Sequence, residues 1–292
     1  MRFSTVSEFY SRAEPFLLRR EAEHNLMLGI CTMLMHDPAR AQEPPYLATV
    51  ERDGEVVLAA LRTPPRSLVL SYAAEPEAGD VLADRLHAEG EALPGVIGSV
   101  PFSRAFTERW HRISGQAYRL ALAERIYQLD RVNPVEGVPG RMHRANEGHR
   151  TLLLEWLAAF NAEALDETDT SGLERMVDRF LNADPRIQGM YIWENEQGRP
   201  VSMAGYSRPT PNGICVLAVY TPPEHRRRGY ASACVAALSQ WLLEGGRKYC
   251  FLYTDLANPT SNHIYQQIGY RPVCDAEEYR FINPEAAGVS PA

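Results

Sequence analysis

The chain has 292 residues, a formal net charge of −7 and a pI near 5.7, so its surface offers no broad attraction to nucleic acid. That length is generous for one α/β domain and suits two of ordinary size, each able to bury its own core. Cys31, Cys215, Cys234, Cys250 and Cys274 form no C-x-x-C pair and the eight histidines have no metal spacing, so the expectation is a cytoplasmic protein with reduced, buried thiols and no metal.

Near the start, residues 26–35 are apolar but too short to span a bilayer, and they follow Arg19, Arg20, Glu21 and Glu23. A core helix is predicted there, with neither signal peptide nor membrane span. Residues 46–61 place Asp53-Gly54 between two strand-like runs, which is a hairpin signal. Residues 66–73 then read as a strand, 79–90 as a helix, 94–99 as a short apolar piece and 106–114 as a helix closed by Gly115. Pro and Gly punctuate residues 133–140 and no periodicity crosses them, so the boundary falls there, between a domain of 1–136 and one of 137–292.

Helices are expected over 152–165 and 173–181, joined by Asp166-Glu167-Thr168-Asp169-Thr170. This acidic loop reads either as a solvated capping segment or as a recruiter of a cationic amine. Residues 190–206, with Gln197-Gly198, repeat the hairpin. Residues 214–220 are short, apolar and branched, as a buried strand should be, and Pro222 and Pro223, lacking N–H groups, stop its pairing. The turn that follows carries Glu224, His225, Arg226, Arg227, Arg228 and Gly229. Ala231, Cys234, Val235, Leu238, Trp241 and Leu242 then recur at helical spacing until Gly245-Gly246.

A helix start leaves backbone N–H groups without partners, and arginines beside it add charge, so this turn suits a pyrophosphate. Gly229 lets the backbone come close. Glu224 and His225 read as surface members of the same turn. Residues 249–254 form a further strand, leading to a helix with Asn258 as N-cap, Pro259 in its first turn and Gly269 at its end.

From about residue 140 onward these motifs resemble the GNAT superfamily of acyl-CoA-dependent N-acyltransferases. The pattern (Gln/Arg)-x-x-Gly-x-(Gly/Ala) falls on Arg226, Gly229 and Ala231, and the later motif on Asn258, Ser261, Tyr265, Gly269 and Tyr270. The resemblance implies acetyl-CoA as donor, held along Val219, Tyr220 and Thr221 where two parallel strands splay, with its pyrophosphate on the amides and side chains from Arg226, Arg227 and Arg228 through Gly229, Tyr230 and Ala231. Asn258 and Ser261 would lie along the pantetheine, and Tyr265 would be the general acid, a phenol protonated at neutral pH. The acceptor implied is a primary amine of a small molecule or peptide; the general base is unassigned.

The strand, helix and hairpin order of the first half mimics that of the second, which predicts an α/β (α+β) fold of two tandem GNAT-like domains. Each would hold a mixed, mostly antiparallel sheet flanked by helices, with a splayed parallel pair. The first copy is expected to be degenerate. Its turn, Ala74-Glu75-Pro76-Glu77-Ala78-Gly79-Asp80, is acidic, and Trp110 or His111 stands where Tyr265 would. The alternative reading of the whole chain is a non-catalytic acyl-CoA-binding protein.

Overall fold

The computed structural model describes residues 1–75 and 77–282, which leaves Pro76 of the acidic turn outside the described residues. The chain forms two compact units, one of residues 1–126 and from 273 onward, the other of residues 127–272.

In the first unit, α1 (Val6–Leu17) and α2 (Asn25–His36) precede a hairpin of β1 (Tyr46–Arg52) and β2 (Glu55–Arg62). Asp53 and Gly54 both take positive φ, of 51° and 81°, as the tight turn between twisted strands requires. Then follow β3 (Leu68–Leu70), α3 (Ala78–Ala88), β4 (Gly95–Ser99), α4 (Val100–Ser114) and β5 (Ala117–Leu129), whose last three residues belong to the second unit. The strand order is β1-β2-β3-β4-β11, where β11 (Arg271–Ile282) is the last strand of the described chain. Side chains alternate across this sheet: Leu47, Ala59 and Leu61 meet Phe9, Phe16 and Leu28 of α1 and α2. Ala48, Leu58 and Ala60 meet Leu82, Leu86, Phe106 and Trp110 of α3 and α4.

The second unit runs from β6 (Arg141–Arg144) through α5 (Arg150–Ala164), α6 (Leu173–Asn182), β7 (Gly189–Glu194), β8 (Pro200–Ser207) and β9 (Gly213–Tyr220) to α7 (Tyr230–Glu244), β10 (Tyr249–Asp255) and α8 (Pro259–Ile268). Its strand order is β10-β9-β8-β7-β6. Trp156, Leu157, Val177 and Phe180 of α5 and α6 cover Ile192, Met203, Ala218 and Tyr220 on one face. Cys234, Leu238 and Leu242 of α7 cover Tyr191, Val201, Tyr206 and Val216 on the other. Both units are thus mixed, mostly antiparallel sheets flanked by helices, and each contains a parallel pair, β3 with β4 and β9 with β10.

The units divide the chain elsewhere than the Pro/Gly segment at 133–140. That segment is packed: the Asn133 amide donates to the Ile268 carbonyl at 2.7 Å, and Val135 and Val138 rest on the second core. The far end of the chain goes to the first unit because β11 pairs with β4, Tyr279 opposite Val96, and its Tyr279 and Phe281 fill that unit's core. Arg104 clamps Glu277 of β11 with two hydrogen bonds, of 3.2 and 2.6 Å.

Candidate functional site

In the second unit, β9 pairs with β10 in parallel over three positions only, ending at Cys215 opposite Phe251. Beyond that point a fork opens. Its cause lies partly on the other edge of β9: Met203 faces Tyr220 while Gly205 faces Leu217, so β9 holds one extra residue, and Ala218 there takes φ 50°. A bulge of this kind breaks the ladder and bends the strand. Val219 rests against the core beneath α7, while Tyr220 points to the opposite face.

Pro222 and Pro223 end β9, a 3-10 turn spans Pro223–His225, and α7 starts at Tyr230. Arg227 and Gly229 bring the chain round with φ of 61° and 78°. A Cβ on Gly229 would stand 2.8 Å from Val138 Cγ2, so this position tolerates glycine alone on two counts, space and φ. No side chain caps the start of α7. Its first amides therefore lack the partner that a Ser or Asp would provide, and they carry the positive end of the helix dipole. Tyr230 is buried with its ring in the core, which leaves its backbone amide as the group it can offer a ligand.

The three arginines divide. Arg226 bends back, its Nε donating to the Thr221 carbonyl at 2.9 Å and its Nη2 to Glu163 Oε2 at 2.6 Å. It braces the turn. Arg227 and Arg228 are exposed, and among the described residues no carboxylate pairs with either. Glu163, at the end of α5, also accepts from the Tyr220 hydroxyl at 3.3 Å. Burial first, and then this carboxylate, push the Tyr220 phenol above its ordinary value. Thr221 Oγ1 lies 2.9 Å from Ser202 Oγ, which in turn donates to the Tyr220 carbonyl at 3.1 Å. Glu224 is exposed and His225 half-buried, its Nδ1 shielded and without a hydrogen-bond partner among the described residues.

At the end of β10, Asn258 caps α8, its Oδ1 accepting from the Ser261 amide at 3.0 Å. Its neighbour Asn262 does more of the joining. Asn262 Nδ2 donates to the carbonyls of Asp255 at 2.9 Å and Asn258 at 2.8 Å, and its Oδ1 accepts from the Tyr127 hydroxyl at 3.0 Å. Tyr265 is buried in the core shared with α7, its ring edge-on to Tyr270 with centroids 6.0 Å apart. Burial pushes its phenol up to about 12, so it holds its proton through the whole neutral range. Of the acidic loop after α5, Asp169 accepts from the Ser171 amide at 2.9 Å and its hydroxyl at 3.0 Å, as a capping residue does.

The sequence motifs had not singled out Glu163, Tyr127 or Asn262. Each reaches its partner across a long chain separation or through a helix turn, and none belongs to a local pattern.

Residues 152–270 match the model of a family described as Acetyltransferase (GNAT) family. No curated protein matches the chain by sequence. Among solved structures, a Drosophila protein is 13% identical with a TM-score of 0.67, covering 97% of this chain and 98% of its own. A GCN5-related N-acetyltransferase from Sphaerobacter thermophilus is 16% identical with a TM-score of 0.61, covering 87% of this chain and 86% of its own. Another from Kribbella flavida is 18% identical with a TM-score of 0.55, over 88% of this chain and 96% of its own. At these identities the likeness is one of fold.

Proposed function

We propose that this chain transfers an acetyl group from acetyl-CoA to a primary amine of a small molecule or peptide, as the match of residues 152–270 to the model of the Acetyltransferase (GNAT) family supports. The observation that carries the reading is the fork between β9 and β10, placed beside an uncapped, arginine-flanked helix start. A donor of this kind brings a long amide-bearing arm and a pyrophosphate. The fork offers strand backbone to the first, and the amides of Gly229, Tyr230 and Ala231 with Arg227 and Arg228 suit the second.

The donor supplies a thioester carbonyl; the protein's part is to hold, orient and move protons. Two reactants fixed in one cleft gain much of the rate from proximity alone. The bulge at Ala218 breaks the β8 ladder, which frees backbone near Val219 to serve as the oxyanion donor. Tyr265, protonated at neutral pH, suits the role of acid toward the departing thiolate.

Calorimetric titration with acetyl-CoA, of the wild type and of Arg228→Glu, tests the donor site. Micromolar binding lost in the variant is the expected outcome, and no binding to the wild type would overturn the reading. Release of CoA thiol with a panel of primary amines then separates an enzyme from a binder: binding without turnover on any amine would favour the non-catalytic alternative.

A further inference from the structure

We propose that His143, His149 and Glu194 form a divalent-metal site, best suited to zinc, on the β6 side of the second unit. The three residues come from β6, the 3-10 turn Glu147–His149 that leads into α5, and the end of β7. One ligand atom from each lies within 4.8 Å of the others. All three side chains are half-buried.

The geometry of His143 carries the argument. Its Nδ1 lies 3.3 Å from the Arg144 carbonyl, and a carbonyl only accepts, so the Nδ1 proton is used there and Nε2 is the nitrogen left to bind. This is the arrangement in which a histidine presents a fixed lone pair to a metal, its other nitrogen held by a backbone oxygen. Nε2 stands 3.0 Å from Glu194 Oε1 and yet has no hydrogen-bond partner among the described residues, although it is shielded from solvent. The carboxylate oxygen therefore lies beside the axis of the ring nitrogen rather than along it. Two ligands of one metal relate in this way, both aimed at a third point: bonds of 2.0–2.2 Å to nitrogen and oxygen place the two atoms about 2.9–3.4 Å apart, from octahedral to tetrahedral angles.

The other members fit with small changes. The His149 ring centroid is 5.2 Å from that of His143, and its Nδ1 accepts from the Asn146 amide at 3.2 Å, a long bond that a metal taking this nitrogen would replace. Glu194 keeps its second oxygen for Arg141, 3.5 Å away. Two imidazoles and one carboxylate are a donor set for zinc with a fourth position left to water. Bound there, the metal joins β6, β7 and the lead into α5, so its readout is stability, independent of acyl transfer.

The test uses the full chain, stripped with a chelator, exposed to zinc ions alone and passed through gel filtration. One zinc retained per chain, together with a rise in the thermal midpoint, is expected for the wild type and for Cys274→Ser. Both effects should vanish in His143→Gln and in Glu194→Gln, the second of which keeps volume and fold. Equal zinc retention in wild type and variants, loss of zinc in Cys274→Ser, or no retained zinc in the wild type would each overturn the proposal, the last leaving a plain His143–Glu194 contact.

Discussion

The two parallel strand pairs, β3 with β4 and β9 with β10, start alike and end differently. Each registers over two or three residues and then stops, Val69 opposite Ile97 in one and Cys215 opposite Phe251 in the other. In the first unit the protein's own side chains occupy the ends of the pair. The Tyr72 amide donates to His24 Nε2 at 3.0 Å, the Ser99 hydroxyl donates to Glu23 Oε1 at 2.6 Å, and the Arg20 guanidinium lies 3.8 Å over the Tyr72 ring. Glu75 of the acidic turn is paired with Arg52 at 2.7 Å. In the second unit the corresponding turn ends in an uncapped helix start with Arg227 and Arg228, which no carboxylate pairs with among the described residues. The two forks thus differ in what occupies them, not in how they open.

Glycine substitution should break this contrast most sharply. Gly229→Val places a branched side chain at positive φ and against Val138, and acetyl-CoA binding by calorimetry should disappear. Gly79→Val is its counterpart near the start of α3, with open space around the new Cβ, and it should leave binding unchanged. Equal effects of the two would mean that the donor sits elsewhere.

Next in size is the contrast between Tyr265 and the residues in its place in the first unit. Trp110 is fully buried, its Nε1 donating to Gln116 Oε1 at 2.7 Å, and His111 is exposed. Tyr265→Phe keeps the ring contacts with Tyr127 and Tyr270 and removes the proton donor, so turnover should fall about 10²- to 10⁴-fold while affinity for acetyl-CoA stays. Trp110→Phe should lower the thermal midpoint and leave turnover per folded chain intact. Because burial holds Tyr265 near 12, the neutral limb of the pH profile should come from the acceptor amine, rising with pH, and should be absent for no amine tested.

Much of this contrast was legible in the sequence, because its signals are local. Asp53-Gly54 and Gln197-Gly198 mark hairpins through backbone conformations that few residues adopt, and Asn258, Pro259 and Gly269 bound α8 by capping chemistry alone. What escaped depends on distant partners. The strand expected over 66–73 shrinks to Leu68–Leu70, with the Tyr72 amide turned to the His24 ring nitrogen rather than to a strand. Helix α4 begins at Val100 rather than 106, with Pro101 accommodated in its first turn. Nothing in the spacing of residues 271–282 announces a partner nearly two hundred positions earlier, and the same holds for the pairing of Glu163 with Arg226. The spacing of residues along the chain likewise does not show that His143 and Glu194 become neighbours, which happens only when β6 pairs with β7.

The smallest expected effect concerns His24, the side chain that stands in the first unit's fork. Its Nδ1 donates to the Leu17 carbonyl at 2.8 Å and its Nε2 accepts from Tyr72, so the buried ring is neutral by construction. Burial lowers its pKa, outweighing the Leu17 carbonyl and Glu23, which raise it, while Arg20 adds to the lowering. A group whose folded pKa lies below its unfolded value binds fewer protons when folded, so it contributes stability above the unfolded value of about 6.5 and loses it as pH falls. The protonated ring can no longer accept from Tyr72, and that half-buried amide loses its partner. Denaturant unfolding of the wild type should accordingly show stability falling between pH 7 and pH 5, with a shallower fall in His24→Gln, whose amide oxygen does not titrate. An identical slope in both proteins would assign the acid sensitivity to other groups. Acetyl-CoA binding measured at pH 7 should be the same in the two, because His24 belongs to the first unit and the proposed donor site to the second.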